Sequence, residues 1–191
     1  LSLASANRFP SLADAIAAVE LAAFGKVSLD LPFTIDPENL VEGTRLRDEY
    51  EVKNTLGEGG MATVYVARHL VSGTSRALKV ARPDPRAEDA LLTEYRALQG
   101  IDHPNIVRAI DISNAVPDRR TLVLERVKGT SLAKRLAAGS LADEERRLYA
   151  EHLLAALAYL EQKGIVHKDI KPDNLVVSDD GLTLIDFSLA G

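Results

Sequence analysis

The chain has no cysteine, which removes disulfides, thiolate metal sites and a cysteine nucleophile at once. That fits a reducing compartment, and a cytoplasmic location is expected. No apolar run approaches the roughly 20 residues needed to cross a bilayer as a helix, so no membrane segment is expected. Positive charge is in deficit. The 23 Lys and Arg face 28 Asp and Glu, a formal charge of -5, which argues against non-specific binding to nucleic acid. The N-terminus lacks a signal-peptide pattern and an initiator Met, so the chain is expected to begin inside a longer polypeptide with further domains. What is present is a 191-residue chain, 46% apolar and 27% charged. That is the balance of a folded globular protein with room for one domain and an arm.

Residues 1–43 read differently from the rest. Ser11 to Phe24 is Ala-rich and amphipathic, with Pro10 ahead of it, Asp14 three residues after Ser11 and Gly25 as a stop. The pattern predicts a helix that packs on, or ends, an upstream domain. Pro32, Pro37 and the acidic residues from Asp36 to Glu42 read as a linker. From Tyr50 the apolar period shifts toward two, predicting strands over 50–56, 64–68 and 76–80, with a Gly-rich turn and then Ser72-Gly73 between them. A helix over 87–99, closed by Gly100, precedes strands over 106–112 and 121–125 that flank a Pro117-Asp118 turn. The sum is an α+β arrangement, a five-stranded antiparallel sheet with one helix against it. After Gly129 the chain turns helical. Residues 144–163 carry Leu148, Leu153, Leu154, Leu157 and Leu160 among alanines on nearly every face, so burial on more than one side is expected. Gly164 ends that helix, and short strands over 175–177 and 182–185 complete the pattern, with no internal repeat.

Three segments carry chemistry. Leu56-Gly57-Glu58-Gly59-Gly60-Met61-Ala62-Thr63-Val64 lies between two predicted strands, whereas a dinucleotide or Walker loop would open a helix. Glycines let a backbone approach phosphate closely, although a Gly-rich hairpin by itself is most simply a turn. Lys79 sits on an apolar strand. On the next helix Glu94 shares the stripe of Leu91 and Leu98, so a carboxylate is headed for the core and needs a cation, for which Lys79 is the candidate. The third segment, His167-Lys168-Asp169-Ile170-Lys171-Pro172-Asp173-Asn174, puts a carboxylate, an ammonium and an amide in one tight loop. Asp169 can take a proton from an attacking hydroxyl, Lys171 can neutralise charge on a transferred group, and Asn174 can ligate Mg²⁺. Asp186, ahead of Phe187 at the end of an apolar strand, adds a second oxygen ligand. A solvated charged loop accounts for any one of these segments, but not for the set.

These parts, in this order, resemble the eukaryotic-like, bacterial-type serine/threonine protein kinases. The resemblance also takes in His103-Pro104-Asn105-Ile106-Val107, Glu125 and His167, and runs from about Tyr50 to Gly191. It implies a kinase-like fold over 44–191, with an N-lobe over 44–127 and the beginning of a helical C-lobe over 128–191. It implies ATP and Mg²⁺ as cofactors and a protein substrate bearing Ser or Thr. By the same resemblance Gly57, Glu58, Gly59, Gly60, Met61 and Ala62 cover the phosphates. Leu56, Val64, Ala77 and Val176 sandwich the adenine, and Leu124 is the gatekeeper. Glu125 offers its carbonyl and Val127 its N–H to the base. Lys79 with Glu94 holds the phosphates, Asp169 and Lys171 serve the transfer, and Asn174 with Asp186 holds the metal. Lys171, two residues after Asp169, is the serine/threonine form of the loop.

Four departures from the family pattern stand out. Ala62 replaces the third glycine of the loop, a small residue that the site is expected to tolerate. Lys168 stands where Arg usually precedes the catalytic Asp, and an ammonium cannot grip a phosphorylated segment with Arg's two-pronged fork. Ser188 replaces the glycine of Asp-Phe-Gly and is expected to restrict that segment. The chain also reaches only Gly191, so the activation segment, the peptide-docking surface and most of the helical lobe lie outside it. The resemblance then implies that one face of the 144–163 helix is left in water. Two other readings stay open: a nucleotide-binding pseudokinase, and a small-molecule phosphotransferase of the aminoglycoside type. Retention of Lys79, Asp169, Asn174 and Asp186 disfavours the first, and Lys171 with the 103–107 segment disfavours the second.

Overall fold

A computed structural model describes residues 35–37 and 39–191. The helix predicted over 11–24 lies outside the described residues. The stretch read as a linker packs on the domain where it is described. Leu40 is buried, the Gly43 N–H bonds the Val52 carbonyl at 2.9 Å, and Val52 returns a bond to Thr44 at 2.9 Å.

The upper layer is one antiparallel sheet. Its strands are β1 (Arg45–Leu46), β2 (Tyr50–Glu58), β3 (Ala62–His69), β4 (Ser75–Ala81), β5 (Ala109–Ser113) and β6 (Thr121–Glu125), in the order β1-β2-β3-β4-β6-β5. The five longer strands are those the alternation predicts. The sixth, β1, has two residues and so no period to read; it exists because the backbone at 43–46 pairs with the start of β2. Helix α1 (Pro85–Leu98) packs beneath the sheet. Pro85 opens it, the Asp84 carboxylate caps the Arg86 N–H at 2.8 Å, and Ala87, Leu91, Glu94 and Leu98 form its buried stripe.

Part of the strand predicted over 106–112 goes elsewhere. Ile106 leaves the upper sheet and bridges Leu184, with the Val107 N–H on the Leu184 carbonyl at 2.9 Å and the Leu184 N–H on the Asn105 carbonyl at 2.8 Å. The buried Asn105 side chain donates to the Leu182 carbonyl at 2.8 Å. Two apolar pairs, Ile106-Val107 and Ala109-Ile110, on either side of Arg108 look like one strand, but the segment serves two sheets.

Below lie β7 (Thr130–Ser131), α2 (Leu132–Ala137), α3 (Asp143–Gln162), a 3-10 turn (Pro172–Asn174), β8 (Leu175–Ser178) and β9 (Gly181–Leu184). Strands β7, β8 and β9 form a small antiparallel sheet. Gly129 must be glycine for the chain to enter it: φ is 132°, and a Cβ would come within 2.2 Å of the Val177 carbonyl oxygen. Helix α3 ends at Gly164 (φ 70°). Its N–H bonds Glu161 while that of Ile165 bonds Leu160, both at 2.9 Å, so the last carbonyls are satisfied. One continuous core runs from Leu91, Leu98 and Leu122 above to Leu160, Leu175, Leu184 and Phe187 below.

Helix α3 departs from the expectation of burial on more than one side. Tyr149, Ala156 and Leu160 are buried on one stripe, while Leu154 is 65% exposed. Leu154, Leu157, Ala158, Ile165, Val166 and Ile170 line an open groove of about 580 Å³. Nothing among the described residues covers it. Each large side chain so exposed forgoes about 1.5–3 kcal/mol of burial, against a total domain stability of about 5–15 kcal/mol. Residues 1–191 expressed alone are therefore expected to bind a hydrophobic dye strongly or to self-associate. A monodisperse monomer with a sharp melt and no dye binding would contradict this.

Candidate active site

The Gly-rich loop joins β2 to β3, with Gly57 opposite Val64 and Glu58 opposite Thr63. The Gly59 N–H bonds the Ala62 carbonyl at 2.9 Å, and Arg82 Nε donates to the Gly59 carbonyl at 3.2 Å. None of Gly57, Gly59 and Gly60 adopts a left-handed φ, and a Cβ on Gly57 or Gly60 would meet nothing within 4 Å. Neither turn geometry nor internal packing therefore requires glycine at 57 or 60. What glycine leaves there is bare backbone facing open space. Met61 and Leu56 flank it, both about half exposed.

Below the loop the sheet register builds an apolar wall. Val64 pairs with Lys79, and Ala77 with Leu124, so all four project from one face. Val176 on β8 alternates with Leu175 and Val177, which enter the core, and is itself half-buried. At the end of β6 the Glu125 N–H is bonded to the Arg108 carbonyl at 2.9 Å. Among the described residues no acceptor meets the N–H of Val127, whose side chain is half-buried. A separate cavity of about 520 Å³ is lined by His103, Arg108, Glu125, Arg126 and Val127, among others, but by neither Lys79, Asp169 nor Asp186.

Lys79 is where the elements meet. Its ammonium donates to Glu94 Oε2 at 2.7 Å and to Asp186 Oδ1 at 2.8 Å, so strand β4, helix α1 and the segment after β9 converge on one charge. The other Glu94 oxygen accepts the Phe187 N–H at 3.2 Å. Burial disfavours the Lys79 charge, but Glu94 and Asp186 together outweigh it and raise the ammonium above its ordinary range. Burial raises the Glu94 carboxyl, with Lys79 and the Phe187 N–H acting against it. For Asp186 burial is again the largest influence. Lys79 and Ser188 overcome it, leaving that carboxyl below the ordinary range.

The loop over 167–174 is built on the buried His167. Its Nδ1 accepts the Asp169 N–H at 3.3 Å, which leaves Nε2 to donate to the Ile185 carbonyl at 3.2 Å. The ring stands edge-on to Phe187, with centroids 4.5 Å apart. Burial lowers the His167 pKa, keeping the neutral tautomer that this pair of bonds needs. Asp169 Oδ2 accepts from Lys171 at 2.7 Å and from Asn174 Nδ2 at 2.9 Å, and the same amide nitrogen reaches the Asp169 carbonyl at 2.9 Å. The Lys171 bond holds the Asp169 carboxyl below its ordinary range, so the group is ionised at neutral pH. Lys168 and Asp186 both sit at left-handed φ, 65° and 64°, strained positions at the candidate site.

The donor set suits a hard divalent cation. Asn174 uses its nitrogen on Asp169, which leaves its amide oxygen to join the Asp186 carboxylate as ligand. Among the described residues no three His, Cys, Asp or Glu side chains converge as a metal cage. Mg²⁺ commonly takes one or two carboxylates and completes its shell with phosphate and water, so two protein ligands suffice.

Comparison with known proteins decides the family. The family model for the protein kinase domain matches residues 50–191. The chain belongs to the protein kinase family. Its kinase domain is 37% identical over 146 residues to sperm motility kinase 3A of Mus musculus, covering 75% of this chain and 29% of that protein. It is 35% identical over 147 residues to CBL-interacting serine/threonine-protein kinase 19 of Arabidopsis thaliana, covering 74% and 30%. A crystal structure of a kinase domain superposes with a TM-score of 0.72 at 24% identity, over 80% of this chain and 54% of that one. The chain thus spans about a third or less of the curated relatives it matches.

The kinase fold brings Lys79, Glu94, Asp169, Lys171, Asn174 and Asp186 together on the site side and sets Val64, Ala77 and Leu124 on the sheet face beside Lys79. Sequence reasoning missed two connections. The Phe187 N–H on Glu94 is a backbone bond, which no side-chain pattern advertises. The pair of hydrogen bonds from Asn174 Nδ2 to Asp169 depends on the turn at 172–174 closing, for which Pro172 is the one local sign. Asn174→Ala removes both bonds and leaves their partners less satisfied. A loss of about 1–3 kcal/mol is expected, read as a lower urea midpoint with unchanged slope. An unchanged midpoint would contradict the role given to this amide.

Proposed function

We propose that the polypeptide carrying this chain transfers the γ-phosphoryl group of ATP to Ser or Thr hydroxyls of proteins. The observation that carries the reading is an ionised Asp169, hydrogen-bonded to both Lys171 and Asn174, on the same site as the Lys79–Glu94–Asp186 ion cluster. Asp169 accepts the hydroxyl proton as the substrate oxygen bonds to phosphorus, and the bond from phosphorus to the bridging oxygen of ADP breaks. Lys171, held beside Asp169, is set to neutralise charge on the transferred group. Lys79 binds phosphate oxygens while Glu94 fixes its position. The Gly-rich loop covers the phosphates with backbone N–H groups, and the Val127 N–H receives the base. Asn174 and Asp186 hold Mg²⁺, which when bound neutralises phosphate charge. Lys171 two residues after Asp169, and relatives named as serine/threonine-protein kinases, support Ser and Thr as acceptors.

A fluorescent ATP analogue titrated with Mg²⁺ tests the binding half of this reading. Lys79→Ala and Asp186→Ala are each expected to weaken binding at least about tenfold, the cost of one lost charge-assisted contact. Wild-type protein that binds no more tightly than both variants would overturn it.

Regulation follows from Lys168. Its side chain is exposed on the turn that enters the loop and is a point charge, not a fork. Activity of the full-length protein is therefore expected to depend only weakly on activation-segment phosphorylation. Phosphatase treatment is expected to leave most of the rate, and a preparation silenced by phosphatase would count against this.

A further inference from the structure

The tip of the Gly-rich loop has little apolar surface to bury. Strand β2 is exposed from Asn54 to Glu58, and Gly59, Gly60 and Met61 beyond it are exposed as well. Packing does not fix where this hairpin end sits, so hydrogen bonds must. Within the turn the Gly59 N–H bonds the Ala62 carbonyl at 2.9 Å.

Arg82, outside the loop, supplies the rest. The β3–β4 ladder ends with Ala62 opposite Ala81. Arg82 carries it one step further, its N–H donating to the Met61 carbonyl at 2.9 Å. Its side chain then reaches across the turn, and Nε donates to the Gly59 carbonyl at 3.2 Å. The guanidinium also lies 3.9 Å from the Glu58 carboxylate, an exposed pair that adds little. Arg82 thus grips the residues on both sides of Gly60.

It does so from the face opposite Lys79. Alternate residues of a strand face opposite ways, so Ala77 and Lys79 line the candidate site while Val80 points away from it. The Arg82 side chain lines a small cavity with Val80, Thr63 and Tyr65, on that far face. It therefore draws the Gly59 carbonyl toward the far face. The peptide bonds of the described residues are trans, and across a trans peptide the C=O and the following N–H point in opposite directions. The Gly60 N–H is thereby aimed toward the Lys79 face. Among the described residues no acceptor meets it.

We propose that Arg82 is a positioning residue that tethers the loop tip and turns the Gly60 N–H toward nucleotide phosphate, without touching the nucleotide itself. The inference rests on the kinase reading for the phosphate, whereas the tether is measurable without it. An N–H already aimed leaves less ordering to be done when phosphate arrives.

The test compares the full-length polypeptide with Arg82→Met and Arg82→Lys. Both variants keep the backbone bond to Met61. Met keeps the apolar stem without a donor, and Lys keeps a donor. Hydrogen exchange without nucleotide reads the tether. Protection of the Gly59 amide is expected to fall about three- to tenfold in Arg82→Met, the effect of one hydrogen bond, while that of β6 stays unchanged. Binding reads the orientation. With Mg²⁺ the fluorescent ATP analogue is expected to bind Arg82→Met about three- to tenfold more weakly. Adenosine, which carries no phosphate, is expected to bind it as it binds wild type. Arg82→Lys is expected to recover much of both losses. Wild-type protection of Gly59 in Arg82→Met would overturn the tether. An unchanged affinity for the ATP analogue, or an equal loss for adenosine, would overturn the orientation. Wild-type protein that binds neither ligand while the exchange pattern holds would instead remove the kinase reading and leave the tether standing.

Discussion

One ammonium organises this molecule. Lys79 Nζ holds Glu94 at 2.7 Å and Asp186 at 2.8 Å, and through them a strand, a helix and the segment after the last strand. The Glu94 side chain is 1% exposed and that of Lys79 13%, so neither charge can turn to water for compensation. A buried ion pair is weak evidence of net stability, because desolvation offsets much of the attraction. Its value here is geometric. Remove the ammonium and a carboxylate is stranded in the core beside Leu91 and Leu98; keep it and α1 has a single rotation about its axis that satisfies the charge. Glu94 then passes the constraint on, since its second oxygen takes the Phe187 N–H and so fixes where Asp186 begins.

A second chain of bonds starts from His167 and meets the first at Phe187. The imidazole orients the Asp169 backbone on one side and receives Phe187 edge-on at the other, while its Nε2 proton goes to Ile185. Asp169 and Asp186 thus belong to different loops but are positioned from a shared buried contact. Asn174 joins them from below, bonding Asp169 by its side chain while its carbonyl takes the Ile185 N–H. Besides their side-chain partners, Asp169 and Asp186 are held by one buried aromatic pair and a set of backbone bonds.

Much of this is legible in the sequence, for particular reasons. Glu94 declares itself because a carboxylate on the Leu91–Leu98 stripe breaks an apolar pattern, and a broken pattern asks for a partner. The spacing from Asp169 to Asn174 declares itself because five residues with a proline between them make one tight turn. Alternation finds the long strands. It does not find β1, which has two residues, or the division of the 106–112 run between two sheets, because the apolar period is the same whichever sheet receives the strand. Helix α3 shows the limit of composition. Its leucines on several faces correctly announce a need for burial, but composition does not say which neighbour supplies it. Among the described residues only one stripe is covered, leaving Leu154 and Val166 on an open groove.

The central claim is that the Lys79–Glu94 pair acts as one unit on which the site depends. A double-mutant cycle in the full-length polypeptide, with Lys79→Met, Glu94→Gln and both together, measures it by denaturant unfolding. The account predicts a cost of about 3–5 kcal/mol for Lys79→Met, which leaves a buried carboxylate uncompensated. It also predicts a double variant less damaged than the sum of the singles, with a coupling of about 0.5–3 kcal/mol. Two single losses that simply add would contradict it, because the pair would then be two neighbours and not the joint that holds the site.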